Sequence, residues 1–134
     1  MTLQKEAANS HLDQARKNFS LYQKLRDEGE YLDWSLTLLF YSALQLTQAY
    51  LIETASSPLE VPAGHDQRRD AVMSRLPEIW PHYRRLDRAS MTARYQQDQF
   101  LDPTDQQIEH HLRTDFLPIV AEIETRLGAS MGIT

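Results

Sequence analysis

Residues 34–52 read WSLTLLFYSALQLTQAYLI, 19 consecutive positions without a charged side chain. A run of that length belongs either in a bilayer or in the middle of a protein. Its polar groups decide between the two. Ser35, Thr37, Ser42, Gln45, Thr47 and Gln48 are spread along it, and a lone helix in lipid would have to satisfy them internally or lose free energy. The segment is therefore expected to be the central helix of a bundle, with Leu36, Leu39, Phe40, Ala43, Leu44, Leu46 and Tyr50 in the core and no membrane span.

The rest of the chain supplies partners for such a helix. Leu12, Ala15, Phe19, Tyr22 and Leu25 recur at steps of three and four between Leu3 and Arg26, the spacing of an amphipathic helix, and Gly29 is placed to end it. Asp33 is expected to cap the second helix. TASSPLEVPAG at 54–64 is a surface loop by its Pro, Gly and Ser content, and a short helix over 66–75 stops at Pro77. Trp80, Tyr83, Leu86, Ser90 and Ala93 share one face of a fourth helix, with Pro81 in its first turn. Ile108, Leu112, Phe116, Ile119, Ile123 and Leu127 trace a last helix closed by Gly128, and Pro118 inside it predicts a kink. With four Gly and six Pro in 134 residues, there is too little punctuation for many short strands. The expected architecture is a single all-α domain over 1–134, an up-and-down bundle of four long helices plus one short one.

The absence of cysteine excludes disulfides, thiol nucleophiles and cysteine-ligated zinc. The N-terminal sequence mixes acids with bases and reads as neither a secretory signal nor a transit peptide, so a cytoplasmic location is expected. A formal net charge of −5 argues against polyanions as partners, but the charge is unevenly spread. Residues 65–95 carry seven Arg (68, 69, 75, 84, 85, 88 and 94) against four acids, while residues 96–134 carry two Arg against seven acids. Every base of the middle segment is Arg, whose planar fork suits phosphate and carboxylate.

In the order of its features, namely the helix at 34–52, Gly64-His65-Asp66, Ala93-Arg94-Tyr95 and the amphipathic helix at 104–127, the chain resembles the HEPN family, the higher-eukaryote and prokaryote nucleotide-binding domains, in the branch with His-Asp and Arg-Tyr motifs. The resemblance implies a helical bundle that often forms homodimers. It also implies a place in prokaryotic toxin–antitoxin or defence systems, beside a nucleotidyltransferase or antitoxin partner. Many members are metal-independent ribonucleases with an Arg-x4–6-His motif; others bind nucleotides without cleavage. Here only Arg75 and His82 match formally, with six residues and two prolines between them.

The residues themselves allow several roles. One of His65 and Asp66 is expected to cap the short helix, Asp66 being the better cap by residue type, while His65 reads equally as a contact to phosphate or a general base. Arg94 and Tyr95, beside Gln96-Gln97-Asp98, read either as a phosphate grip next to a base-stacking ring or as a core tyrosine and an Arg paired with an acid such as Asp33. Arg68 lies one helical turn from His65. Arg84, Arg85 and Arg88 form a solvent-facing stripe able to attract RNA, a nucleotide or an acidic segment of another protomer. His110 and His111 are adjacent, about 100° apart on a helix, and are expected to be an exposed pair without metal. No phosphate-cradling Gly-rich loop, serine elbow or zinc-helix motif is present, and no cofactor is expected.

Three functions follow as expectations. The first is a nucleotide-, RNA- or partner-binding module that uses His65, Arg68, Arg84, Arg85, Arg88, Arg94 and Tyr95. The second is a metal-independent ribonuclease toxin with His65 or His82 as acid/base and Arg94 or Arg75 stabilising charge. The third is a non-catalytic interaction subunit.

Overall fold

A computed structural model describes residues 3–95 and 103–133, with side chains from residue 5 onward. The motif neighbours Gln96, Gln97 and Asp98 lie outside the described residues. The described chain is helical, without strand. Its elements are α1 (Leu3–Glu28), α2 (Leu32–Glu53), a 3-10 turn at Pro58–Glu60, α3 (His65–Arg75), α4 (Trp80–Tyr95), α5 (Asp105–His111) and α6 (Leu117–Leu127). A π-helical turn, Leu112–Phe116, joins α5 to α6 without a break. Taken together, α5, the π turn and α6 are the expected fourth long helix.

The uncharged segment is the centre of the fold. Fourteen of the 22 residues of α2 are buried, and α1, α4 and the α5–α6 helix surround it. Most of its polar groups are answered within the protein, the buried Ser35 hydroxyl being an exception without a hydrogen-bond partner among the described residues. The Thr37 and Thr47 hydroxyls donate to the carbonyls of Asp33 and Ala43 four residues back, and the Ser42 hydroxyl donates to the Ala15 carbonyl of α1 at 2.9 Å. Gln48 donates to the Pro62 carbonyl and accepts from Arg68. Each bond removes the cost of an unpaired polar group in an apolar interior, which is why this sequence suits a bundle. No described helix is long and apolar enough to cross a membrane.

Aromatic side chains lock the layers. Phe19 of α1 stacks on Phe116 of the π turn at 5.1 Å between ring centroids, and Phe40 of α2 meets Tyr83 of α4 edge-on at 5.5 Å. Both geometries are favoured by the ring quadrupole.

The helix ends depart from expectation in three places. Gly29 does end α1, at φ 72°, with its N–H donating to the Leu25 and Arg26 carbonyls. Asp33, however, is not the cap of α2. The chain reverses so tightly that Tyr31 takes the cap position in the left-handed region, φ 55°, and Asp33 falls in the first turn. Asp66 likewise is not a cap. Gly64 precedes α3, and Gln67 reaches back to accept from the Ala63 N–H, while Asp66 sits in the first turn and pairs with Arg69. In the last helix the irregularity is the π turn, placed just before Pro118, whose ring nitrogen has no proton to donate.

Candidate functional site

α4 carries two polar clusters on opposite flanks, with a ridge of exposed residues between them. The spacing of α4 explains this. Asp87 and Arg94 project toward α3 and α2, and His82 and Arg85 toward the π turn. Arg84, Arg88, Met91 and Tyr95, at steps of four, three and four, face outward.

The first cluster is built around Tyr41, a partly buried ring in the middle of α2. Arg94, in the last turn of α4, donates to the Tyr41 hydroxyl at 2.5 Å and to the Ser90 carbonyl. Its guanidinium lies 5.2 Å from the Tyr41 ring centroid and 5.0 Å from that of Tyr95, which is 72% exposed. His65, the first residue of α3, meets the same Tyr41 ring edge-on at 6.3 Å. Arg94 has no carboxylate partner among the described residues, so the expected pairing with Asp33 is absent within the chain. A partly buried cation held by two aromatic faces and a hydroxyl keeps donors to spare.

Arg68 and Arg69 differ from Arg94. Arg68 donates to Gln48, and Arg69 bridges Asp87 at 2.7 Å and Asp66 at 3.0 Å, so Arg69 is neutralised by α4 and its own helix. Desolvation, followed by the positive charges of Arg68, Arg69 and Arg94, pulls the His65 imidazole below its ordinary range, against the opposite pull of Asp87. The structure thus brings His65, Arg68, Arg94 and Tyr95 to one edge of the bundle, three of them touching or facing Tyr41 and Gln48 of α2.

The second cluster was not legible in the sequence. Asp115, in the π turn, is 0% exposed. Its carboxylate accepts from Arg85 Nε at 2.7 Å and lies 3.2 Å from His82 Nδ1 and 3.0 Å from His111 Nδ1. His111 is thus turned inward and is not half of an exposed pair; only His110 remains exposed. Arg85 is not part of a free stripe, because its guanidinium closes over a buried charge. His82 Nδ1 is also 3.0 Å from Arg85 Nη2, so it either donates to Asp115 or accepts from Arg85, and the imidazole has two orientable tautomers. The only signal for this cluster was the interruption of the last amphipathic stripe by an acid three residues before a proline.

Arg84 and Arg88 remain unpaired among the described residues and stay on the outer ridge. Arg75 donates to the Glu60 carbonyl of the 3-10 turn, whereas His82 faces Asp115, so the formal Arg75–His82 motif is divided between two different neighbourhoods. No group of three or more metal-ligating side chains occurs among the described residues. Comparison with family models, curated proteins and solved structures returns no match, so none of them supports the HEPN resemblance.

Proposed function

We propose that the protein binds a phosphate-bearing ligand with a stackable base, a nucleotide or single-stranded RNA, along the α4 ridge and the Tyr41–Arg94 edge. The observation that carries the reading is Arg94, held between the rings of Tyr41 and the exposed Tyr95 with no carboxylate partner among the described residues. Phosphate takes the free donors of Arg94, Tyr95 offers a face for a base, and Arg84 and Arg88 continue the positive track. His65 adds a donor when it is protonated. Binding of a short single-stranded RNA, measured against salt, tests this. Three phosphates neutralised by Arg84, Arg88 and Arg94 give a log–log slope of about −2, or roughly 20-fold weaker binding between 50 and 200 mM salt. Salt-independent binding, or none below millimolar, refutes it.

The Asp115 cluster favours a second reading, a metal-independent ribonuclease. Asp115 orients two imidazoles, and an acid and a base beside an Arg are what transfer of a phosphodiester to its own 2′-hydroxyl requires. In this reading His82 and His111 are the catalytic pair, and Arg75 has no part. RNA incubated in chelator with the wild type and with His82→Ala and His111→Ala decides it: cleavage that survives both substitutions, or that never occurs, rejects the acid–base role.

A further inference from the structure

The chain has five histidines, at 11, 65, 82, 110 and 111. They differ in what holds the ring, and that decides which nitrogen keeps a lone pair. His11 Nδ1 meets the side-chain carbonyl of Gln45, a neutral partner. His65 faces the Tyr41 ring among the cations of Arg68, Arg69 and Arg94. His82 Nδ1 is divided between Asp115 and Arg85 Nη2, so neither tautomer is fixed. His110 is exposed and touches no carboxylate among the described residues.

Among the described residues, His111 alone commits Nδ1 to a single carboxylate. That partner is the wholly buried Asp115, 3.0 Å away. Asp115 is ion-paired with Arg85 at 2.7 Å and accepts, so His111 carries its hydrogen on Nδ1 and keeps an electron pair on Nε2, across the ring from the buried acid. The side chain is 20% exposed, and the His110 ring flanks it edge-on at 5.8 Å. A carboxylate behind one imidazole nitrogen makes the other a stronger electron-pair donor, and it meets the positive charge that the ring gains on reacting. Arg85, bonded to the same carboxylate and half in solvent, brings a guanidinium that favours an incoming anion.

We propose that His111 is a phosphoryl acceptor, taking a phosphoryl group on Nε2 from a donor of the phosphoramidate class. The Nε2 electron pair attacks phosphorus and forms the new P–N bond. The donor enters protonated on its own nitrogen; its P–N bond breaks, and that nitrogen leaves with both electrons of the bond as a neutral amine. The His111 proton stays on Nδ1, facing Asp115, so no general base is needed. Phosphorus keeps its three oxygens, and nothing is oxidised or reduced. The proposal requires neither nucleotide nor RNA. It shares His111 with the ribonuclease reading, but its readout contains no RNA, so either can fail without the other.

The full chain incubated with potassium phosphoramidate at pH 8 tests it, with the modified residue located by peptide fragmentation and the ring nitrogen by phosphorus NMR. His110, one residue away and without a carboxylate contact among the described residues, reports unassisted reactivity in the same sample. His111 is expected to be phosphorylated on Nε2 about tenfold faster than His110, the low end of what a carboxylate partner contributes to a histidine. In urea, where Asp115 no longer stands behind the ring, the two rates should become equal. Equal rates in the folded chain, faster reaction at His110, or attachment to Nδ1 of His111 overturns the proposal. Asp115→Asn, checked for folding by its melt, should abolish the preference and leave the His110 rate unchanged; a preference that survives in the folded variant rejects the role of the carboxylate. If that variant does not fold, the urea comparison decides the same point, and a preference that persists in urea rejects it.

Discussion

Replacing Arg85 by methionine separates the three arginines that the sequence presents as one stripe. The Asp115 carboxylate is wholly buried, and among the described residues Arg85 is the only permanent cation in contact with it, at 2.7 Å. Removing one partner of a buried pair ordinarily costs about 3–5 kcal/mol, because the remaining charge is left in a medium that solvates it poorly. Two features lower the figure here. The Arg85 side chain is 49% exposed, so part of its charge is already screened by water, and His82 and His111 remain beside Asp115 as donors. A loss of about 2–3 kcal/mol follows. For a chain of this length, 1 kcal/mol moves Tm by about 3–4 °C, which puts Arg85→Met roughly 6–12 °C below the wild type. Arg84→Met, one residue away, exposed and unpaired, should change stability by less than about 0.5 kcal/mol. Urea unfolding and thermal melts of both variants at pH 7.5 provide the measurement. If Arg85→Met lies within 0.5 kcal/mol of Arg84→Met, the assignment of Arg85 to a buried charge cluster is wrong. The same pair has the opposite ranking for the ligand, since Arg84→Met should weaken RNA binding more than Arg85→Met does.

Arg94→Gln should lower nucleotide or RNA affinity at least tenfold with little loss of stability, as judged by titration and melting; an unchanged affinity would falsify the phosphate role. His65 should titrate below its ordinary value of 6.5 in the free protein, and rise toward it when an anion binds, readable by NMR of the ring protons. The sign for stability follows. Between the lowered folded pKa and about 6.5 the unfolded chain holds more protons, so the His65 contribution increases with pH through that window and is complete above it; a fall in stability with rising pH there contradicts the shift. Gly29→Ala should cost about 1 kcal/mol even though its Cβ would meet open space, because the cost is the left-handed backbone at φ 72°. Ser90→Ala should be neutral or stabilising by up to about 1 kcal/mol, since the Ser90 hydroxyl is buried without a hydrogen-bond partner.

Much of the fold is written in local pattern. The 34–52 run states a central helix because no other element buries 19 uncharged residues, and the 3.6-residue stripes flanking it state the helices that cover it. Gly29 and Gly128 end their helices where a left-handed residue is needed, at φ 72° and 69°. Local rules failed where two rules competed for one position. Asp33 and Asp66 are good caps by residue type, but the tight reversal at Tyr31 and the bond from the Ala63 N–H to Gln67 moved each helix start upstream of its acid.

The candidate site divides in the same way. His65, Arg94 and Tyr95 were visible as short motifs, but their meeting at Tyr41 depends on how α3 and α4 lie across α2, and no spacing within one helix encodes that. Asp115, His82, Arg85 and His111 come from two segments about 30 residues apart and share a carboxylate through the packing of α4 against the π turn, where Asp115 is buried. Charge counted along the chain placed a positive middle between acidic ends. By itself the sequence determined a helical bundle around one uncharged helix, because burial periodicity is a local property. That Arg85 closes over a buried carboxylate while Arg94 meets two tyrosine rings, and with that the identity of the candidate site, was decided by tertiary contact, because a charge is satisfied by whatever lies within about 4 Å of it, whether or not that group is near in sequence.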